Sequence, residues 1–189
     1  GGMGVVLRAV DPELGREVAI KLLSSRVQRG LTHGTTRLLR EAQALARLSH
    51  PHVVDVYDVG TAEGRVYLAM AYVRGGSLHA WLRSRPPLHA IVDAFVQAGE
   101  GLAAAHDAGL VHRDFKPANV LVGDDGRPRV LDFGLARPPD GPGSAPGRPP
   151  ALPATVDVRS TVLTVDGQVV GTPAYMAPEQ HLGEPADAR

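Results

Sequence analysis

The stretch VHRDFKPANVLV, residues 111–122, decides the fold of this 189-residue chain. Its polar residues Asp114, Lys116 and Asn119 lie in a short loop between a predicted buried helix and a predicted buried strand, and Pro117 stiffens that loop. Arginine occurs eighteen times in the chain and lysine only twice, so a lysine at this place indicates a chemical requirement. A carboxylate such as Asp114 can orient a hydroxyl group and accept its proton, while Lys116 can offer a compact charge to a phosphate.

A further carboxylate, Asp132, follows the next short apolar run, thirteen residues after Asn119. The apolar runs 120–122 and 130–131 are separated by the turn GDDGRP, which predicts a hairpin that brings Asn119 and Asp132 close together. An amide oxygen and a carboxylate that converge in this way are hard ligands suited to Mg²⁺. We therefore expect Asn119 and Asp132 to form a metal site beside Asp114.

The second lysine, Lys21, lies between apolar neighbours in the predicted strand VAIK, and on its own it is typical of a surface residue with a buried stem. The helical pattern of residues 35–48 points Glu41 into an apolar stripe, which is costly unless a cation meets the carboxylate. A lone glutamate at the edge of such a stripe would instead reach toward solvent. A pair between Lys21 and Glu41 accounts for both positions and leaves the ammonium group able to touch phosphate oxygens.

The composition indicates one globular domain or two small ones and excludes several classes of protein. The chain is 43% hydrophobic, which is enough for a packed core. Its 20 basic and 20 acidic residues give a formal net charge of zero, which argues against a general nucleic-acid or anionic-membrane surface. The chain has no cysteine, and no apolar run approaches the roughly 20 residues of a membrane span. We expect no nucleic-acid partner and a cytoplasmic location, with a membrane tether in the parent protein left open.

The order of the elements predicts an α+β fold in two lobes joined near residues 71–76. Residues 138–153, almost all Pro, Gly, Ala and Ser, are predicted to form a flexible insert. Ser77 is predicted to cap a short helix that runs through Arg83. The other predicted elements are two strand pairs, 5–10 with 17–23 and 53–59 with 65–72, and two helices, 35–48 and 88 up to Gly109.

With these motifs in this order, the chain resembles the eukaryotic-like (Hanks-type) serine/threonine protein kinases of bacteria. Five stretches carry the resemblance and span the whole chain: GGMGVV, VAIK, HRDFKPAN, DFG and GTPAYMAPEQ. The resemblance implies a kinase-like bilobal fold, with a small β-rich N-lobe over a helical C-lobe, and transfer of the γ-phosphoryl group of ATP to serine or threonine hydroxyls of proteins. The lysine of HRDFK together with GTPAY is typical of the serine/threonine variant rather than the tyrosine variant.

The resemblance also implies a role for each candidate residue. Asp114, Lys116, Lys21 and Glu41 would be catalytic, with Asn119 and Asp132 holding Mg²⁺. ATP would contact the glycine-rich loop, the strand lysine and the joint between the lobes, through Gly1, Gly2, Gly4, Lys21, Met70, Ala71 and Val73. Thr172 would form part of the substrate pocket, although a plain turn threonine before Pro173 is the alternative. GGMG taken alone is weak evidence and is more typical of an ordinary glycine turn.

Regulation is expected in the segment 132–179, between DFG and APE. Thr164 first and Thr161 second are the candidate phosphosites, because a phosphate there could meet Arg113 of HRD. The alternative is that both are ordinary loop threonines. A second copy of the chain is an expected partner if phosphorylation occurs in trans.

The chain also departs from the family pattern. The first glycine of the loop and the first strand are absent, and the chain stops at Arg189, shortly after APE. We therefore expect a kinase domain truncated at both ends: residues 1–71 as the N-lobe, 72–76 as the hinge and 77–189 as an incomplete C-lobe. Leu7 stands in place of the usual aromatic residue, Ala71 replaces the usual acidic residue beside the probable gatekeeper Met70, and Phe115 replaces the commoner leucine.

Two other functions compete with a kinase. A pseudokinase or scaffold, or an inactive fragment, would bind partners without transfer, and only the truncation favours it because Lys21, Asp114 and Asp132 are all present. A small-molecule phosphotransferase of the antibiotic-kinase type shares an Asp and an Asn in a similar loop. Such enzymes usually lack the equivalents of Lys116 and of GTPAYMAPEQ.

Overall fold

The computed structural model describes residues 4–23, 42–63, 65–133, 173–181 and 187. Within these ranges the chain forms two antiparallel sheets and a set of helices, in agreement with the predicted α+β class. None of the described helices combines the length and the apolar character that a membrane crossing requires.

The first sheet has four strands: β1 (Gly4–Asp11), β2 (Arg16–Leu23), β3 (Val56–Ala62) and β4 (Arg65–Ala71). The spatial order is β1-β2-β4-β3, and every neighbouring pair is antiparallel. Directly opposite residues share one face of a sheet, so the pairs Val6 with Lys21 and Ala19 with Met70 place these four side chains on the same face. That face carries the strand lysine.

The second sheet is smaller, with β5 (Gly75–Ser77), β6 (Val120–Gly123) and β7 (Pro128–Val130) in that spatial order. Helical segments flank it. They are α1 (42–47), α2 (Leu78–Leu82), α3 (Leu88–Asp107), a 3₁₀ turn at Pro117–Asn119, a second 3₁₀ turn at Pro173–Tyr175, and α4 (Pro178–His181).

The predicted helix boundaries after the joint are confirmed. Ser77 caps α2, because its hydroxyl oxygen accepts a hydrogen bond of 3.2 Å from the Ala80 amide, and Arg83 ends the helix. Helix α3 ends at Asp107, and Gly109 takes the left-handed conformation with φ +75°, as expected of a glycine after a helix.

Two apolar cores lie on either side of the joint. The core under the first sheet consists of Leu23, Ala42, Val54, Val66, Leu68 and Met70. The core of the second unit consists of Leu45, Val53, Leu78, Ala94, Ala98, Ala105, Leu110, Val120, Val130 and Phe133. Helix α1 contributes to both, since Ala42 packs in the first core and Leu45 in the second, and it therefore joins the two units.

One predicted strand begins in the wrong place. We expected a strand over 53–59, whereas β3 runs from Val56 to Ala62, and Val53 forms a single parallel bridge with Val130. The reason is that the backbone first bonds to the second sheet: the Val54 amide donates to the Val130 carbonyl at 2.9 Å, and the Val130 amide donates to the His52 carbonyl at 2.9 Å. Tertiary pairing thus overrides the local strand preference of this apolar run.

The predicted helix over 35–48 is described only in part: 42–47 is helical, and residues 24–41 lie outside the described residues. The predicted flexible insert 138–153 also lies outside them.

The two glycines of α3 differ in their surroundings. A Cβ atom at Gly101 would lie 2.4 Å from the carbonyl oxygen of His52, so this glycine allows the helix to approach the 50–53 segment. A Cβ atom at Gly99 would meet nothing within 4 Å.

We therefore predict opposite effects for two matched substitutions. Gly101→Ala should lower the free energy of unfolding by about 1–3 kcal/mol, because a backbone oxygen must move. Gly99→Ala should raise it by about 0.5–1 kcal/mol, because alanine favours the helix and meets no obstacle. Urea unfolding of both variants is the measurement, and equal effects of the same sign would contradict the predicted packing.

Candidate active site

The loop that carries Asp114 is held by the buried side chain of His112, which is only 2% exposed. The ring Nε2 donates to the carbonyl oxygen of Leu131 at 2.9 Å, while Nδ1 accepts from the Asp114 amide at 3.3 Å. These two bonds require the neutral ring with its proton on Nε2. Burial lowers the pKa of His112 below its ordinary value of 6.5, and the bond to Leu131 opposes this effect.

The backbone on either side of the site is sharply turned. Arg113 and Asp132 both have left-handed backbone conformations, with φ of 62° and 61°, although neither is a glycine. Such conformations cost of order 1 kcal/mol or more and persist where the surrounding structure enforces them. Here they directly follow His112 and Leu131, the two partners of the hydrogen bond, and turn the chain at both places.

Asp114 lies in a small hydrogen-bonded cluster with the two other polar residues of its loop. The ammonium group of Lys116 lies 2.8 Å from Oδ2 of Asp114. The side-chain amide of Asn119 donates to the same Oδ2 at 3.1 Å and to the Asp114 carbonyl at 2.8 Å. Oδ1 of Asp114 has no hydrogen-bond partner among the described residues. One carboxylate oxygen is therefore fixed, and the other is left for a substrate.

The strand lysine and the second carboxylate meet across the two sheets. Nζ of Lys21 lies 2.7 Å from Oδ1 of Asp132, and both side chains are largely shielded, at 12% and 28% exposure. The Leu131 amide donates to the Asn119 carbonyl at 3.0 Å, which holds Asp132 beside the Asn119 loop. The ring of Phe133 packs on His112 with centroids 4.9 Å apart.

The residues present fit a divalent cation. Asn119 uses its amide nitrogen for Asp114, and within the described ranges its amide oxygen accepts no hydrogen bond; the same holds for Oδ2 of Asp132. Two hard oxygens from neighbouring loops suit Mg²⁺, which usually takes one or two protein ligands and completes its shell with water and phosphate oxygens. A cage of three or more His, Cys, Asp or Glu ligands does not occur among the described residues.

Met70, Ala71 and Val73, which are predicted to contact ATP, lie in the joint or directly before it. Met70 is buried on the Lys21 face of the first sheet, opposite Ala19. The Ala71 amide donates to the Asp55 carbonyl at 2.9 Å, and Val73 packs against the core of the first sheet. Gly4 opens β1.

Six predicted site residues lie outside the described residues: Gly1, Gly2, Glu41, Thr161, Thr164 and Thr172. The proposed pair of Lys21 with Glu41 and both phosphosites therefore stay predictions.

Two positioning residues were not assigned by the sequence. One is His112, whose hydrogen bonds join the two loops. The other is Gln180 of α4, which is 6% exposed: its amide nitrogen donates to the Arg113 carbonyl at 2.8 Å, and its oxygen accepts from the Ala177 amide at 3.2 Å. Both stand inside recognised motifs, HRD and APEQ, but a buried polar role cannot be seen without the packing around them.

Two carboxylates, an amide and two lysines thus lie on neighbouring elements of a two-sheet fold, an arrangement whose chemistry suits phosphate and a divalent cation. Comparison with known proteins gives the family. The model of the protein kinase domain family matches residues 1–187, and the chain therefore belongs to the protein kinase family.

Curated bacterial kinases are among the relatives of the chain. The chain is 39% identical over 191 residues to the serine/threonine-protein kinase PknL of Mycobacterium tuberculosis, covering 100% of the chain and 43% of PknL. It is also 39% identical over 193 residues to PknA of the same species, covering 98% of the chain and 40% of PknA. A solved structure of the M. tuberculosis PknI kinase domain matches with a TM-score of 0.70 and 28% identity, over 100% of the chain and 64% of that structure. The chain thus spans less than half the length of these curated relatives, and its fold and sequence are those of a bacterial Hanks-type serine/threonine kinase domain.

The buried neutral His112 predicts a pH effect on stability. Because the native pKa lies below the unfolded value, the unfolded chain takes up a proton first as the pH falls through about 6.5. Unfolding should become progressively easier below that pH, until the native ring also protonates. In His112→Asn, which keeps a donor and an acceptor but cannot ionise, this part of the acid destabilisation should disappear. Urea unfolding between pH 7.5 and 5 measures it, and equal pH slopes in the two proteins would contradict the assignment.

Proposed function

We propose that this chain forms the catalytic part of a protein kinase that transfers the γ-phosphoryl group of ATP to serine or threonine hydroxyls of proteins. The observation that carries the proposal is the Asp114 cluster, in which Oδ1 accepts no hydrogen bond from a described residue, beside the Lys21–Asp132 pair. The proposed general base is thus next to the proposed site for phosphate and metal. The names of the relatives, serine/threonine-protein kinases, support the choice of acceptor.

In the proposed reaction, Oδ1 of Asp114 orients the acceptor hydroxyl and takes its proton. A bond forms between the hydroxyl oxygen and the γ-phosphorus, while the bond from that phosphorus to the bridging oxygen of ADP breaks. Lys116 and Asn119 hold the carboxylate through Oδ2, and Lys116 is proposed to contribute positive charge to the transferred group. Catalysis is therefore mainly positioning and stabilisation of charge.

The proposed Mg²⁺ ligands are the Asn119 amide oxygen and the Asp132 carboxylate. When bound, the ion neutralises phosphate charge and orients the phosphates. Lys21, now paired with Asp132, would turn toward the phosphates, with Glu41 as its proposed partner on the helix. The adenine is proposed to contact Met70 and the backbone of Ala71 and Val73, with the loop of Gly1, Gly2 and Gly4 over the phosphates.

The finer assignments stay part of this proposal. We infer an N-lobe over 1–71, a hinge over 72–76 and C-lobe residues over 77–189. Thr164 and Thr161 are proposed sites of autophosphorylation, in trans by a second copy, and Thr172 is proposed to border the acceptor pocket. The domain is proposed to act in the cytoplasm, where it meets ATP and protein substrates.

The test is phosphate transfer from labelled ATP with Mg²⁺, using the protein at its natural length. Asp114→Asn should reduce transfer to a generic basic protein or to itself by roughly 10²–10⁴-fold, because the base is lost while the shape is kept. Asp93→Asn, an exposed carboxylate on α3, is the matched control and should transfer normally. Full activity in Asp114→Asn would contradict the proposal. A folded protein that binds ATP and Mg²⁺ but transfers no label would support a scaffold instead.

The metal assignment predicts a separate effect. Asp132→Asn should raise the Mg²⁺ concentration needed for tight ATP binding by at least about tenfold, because a ligand loses its charge. Titration of ATP binding with Mg²⁺ measures this, with Asp107→Asn at the end of α3 as the control. An unchanged Mg²⁺ midpoint in Asp132→Asn would exclude the residue as a metal ligand.

A further inference from the structure

A carboxylate on the first sheet, Glu17 of β2, joins two arginines from different parts of the chain. Its Oε1 accepts hydrogen bonds from Nε of Arg8 at 2.7 Å and from Nη2 of the same guanidinium. Its Oε2 accepts from Nε of Arg74 at 3.0 Å and from Nη2 at 2.6 Å. Each carboxylate oxygen thus receives two charge-assisted hydrogen bonds from one arginine.

The main chain of Arg74 is attached to the second sheet. Its carbonyl oxygen accepts a hydrogen bond of 2.8 Å from the Asp124 amide in the β6–β7 turn. The next residue, Gly75, lies so close to β6 that a Cβ atom there would be 2.1 Å from the Val122 carbonyl oxygen. The side chain of Arg74 therefore reaches back from the second sheet to the first.

The bridge lies on the face of the first sheet that carries Lys21, and we call the space between this face and the second sheet, where Lys21 meets Asp132, the cleft. The register pairs Arg8 with Ala19, and Val10 with Glu17, on the face that also carries Lys21. Glu17 is four residues from Lys21, which is about 13 Å along the strand. The guanidinium of Arg8 also lies 4.8 Å from the ring centre of Tyr72, in the connection between the sheets. The first sheet is thus linked to the second unit at two places on this face: through Lys21 with Asp132, and through Glu17 with Arg74.

The charges of this bridge persist over the physiological pH range. Hydrogen bonds from Arg74 and then from Arg8 hold the pKa of Glu17 below its ordinary value, and Glu17 raises the pKa of both arginines. The arginine side chains are 59% and 67% exposed, so salt screens the pairs and each can part readily. A weak, exposed link between two sheets suits a contact that opens and closes.

We propose that Glu17, with Arg8 and Arg74, is a latch between the two sheets, beside their joint, that slows the release of nucleotide from the cleft. Because Glu17 lies on the first sheet while the main chain of Arg74 is bonded to the second, a rotation of one sheet against the other changes the geometry of the Glu17–Arg74 pair, and the pair resists that rotation. Glu17 is thus a positioning residue, which touches neither the phosphates nor the acceptor. The inference rests on the proposed function only in that the cleft must bind a nucleotide.

The experiment measures release of a fluorescent ADP analogue, methylanthraniloyl-ADP with Mg²⁺, chased by excess ATP, in the protein at its natural length. The variants are Glu17→Gln, Arg74→Gln and the double variant, with Arg74→Lys as the conservative change. Arg16→Gln is the matched control, because Arg16 pairs at 3.4 Å with Asp11 inside the β1–β2 hairpin and stays within the first sheet. Thermal unfolding is recorded for each protein.

Release should be about two- to fivefold faster in Glu17→Gln and Arg74→Gln at low salt. The double variant should be no faster than either single one, because both remove the same pair. Arg74→Lys should lie between these variants and the wild type, Arg16→Gln should match the wild type, and about 0.5 M salt should bring all the rates together.

Wild-type release rates in both single variants would overturn the latch, as would a double variant whose effect is the product of the two. The same holds if the variants lose thermal stability while release is unchanged, since the bridge would then be merely structural. If the wild type and the variants show these differences in release but the wild type phosphorylates no protein, the kinase activity is refuted and the latch is supported. A protein that binds no nucleotide would overturn both.

Discussion

The hydrogen bond from Nε2 of the buried His112 to the carbonyl oxygen of Leu131 joins the loops on which the candidate site depends. On one side of it lies Asp114 and on the other lies Asp132, each brought into position by a left-handed residue at 113 and 132. His112 is buried, so losing the Leu131 carbonyl as its acceptor would leave a buried donor unsatisfied. The two hydrogen bonds of the ring account for a neutral histidine beside the carboxylates and lysines of the candidate site.

Part of the arrangement of the candidate site could be predicted from the sequence, because several of its residues fall in short motifs on neighbouring elements. The hairpin signal of GDDGRP brought Asn119 next to Asp132, and the Ser77 cap and Gly109 fixed the ends of their helices. The structure adds a contact of Lys21 that the sequence did not suggest. Lys21 meets Asp132, 111 residues away, while the predicted pair with Glu41 lies outside the described residues. Local patterns carry no information on a contact between residues so far apart in the chain.

Other features depended on packing that no local pattern encodes. The run 53–59 has the composition of a strand throughout, yet its first residues bond to β7, and only the later ones enter the first sheet. Glycine is unfavourable inside a helix, yet Gly101 is needed in α3 for the close approach of the His52 carbonyl. The Glu17 bridge spans 57 residues between its acidic and basic partners. In each case the local structure is determined by a contact between residues far apart in the sequence, and only the folded arrangement of the two sheets reveals that contact.

The most direct test of the account is an experimental structure of the protein at its natural length with Mg²⁺ and a non-hydrolysable ATP analogue. The account predicts a metal ion about 2.1 Å from the Asn119 amide oxygen and from a carboxylate oxygen of Asp132. It also predicts that Oδ1 of Asp114 faces the γ-phosphate while His112 keeps its bond to Leu131. A nucleotide bound with its phosphates away from Asp132, or a metal held by neither Asn119 nor Asp132, would contradict it.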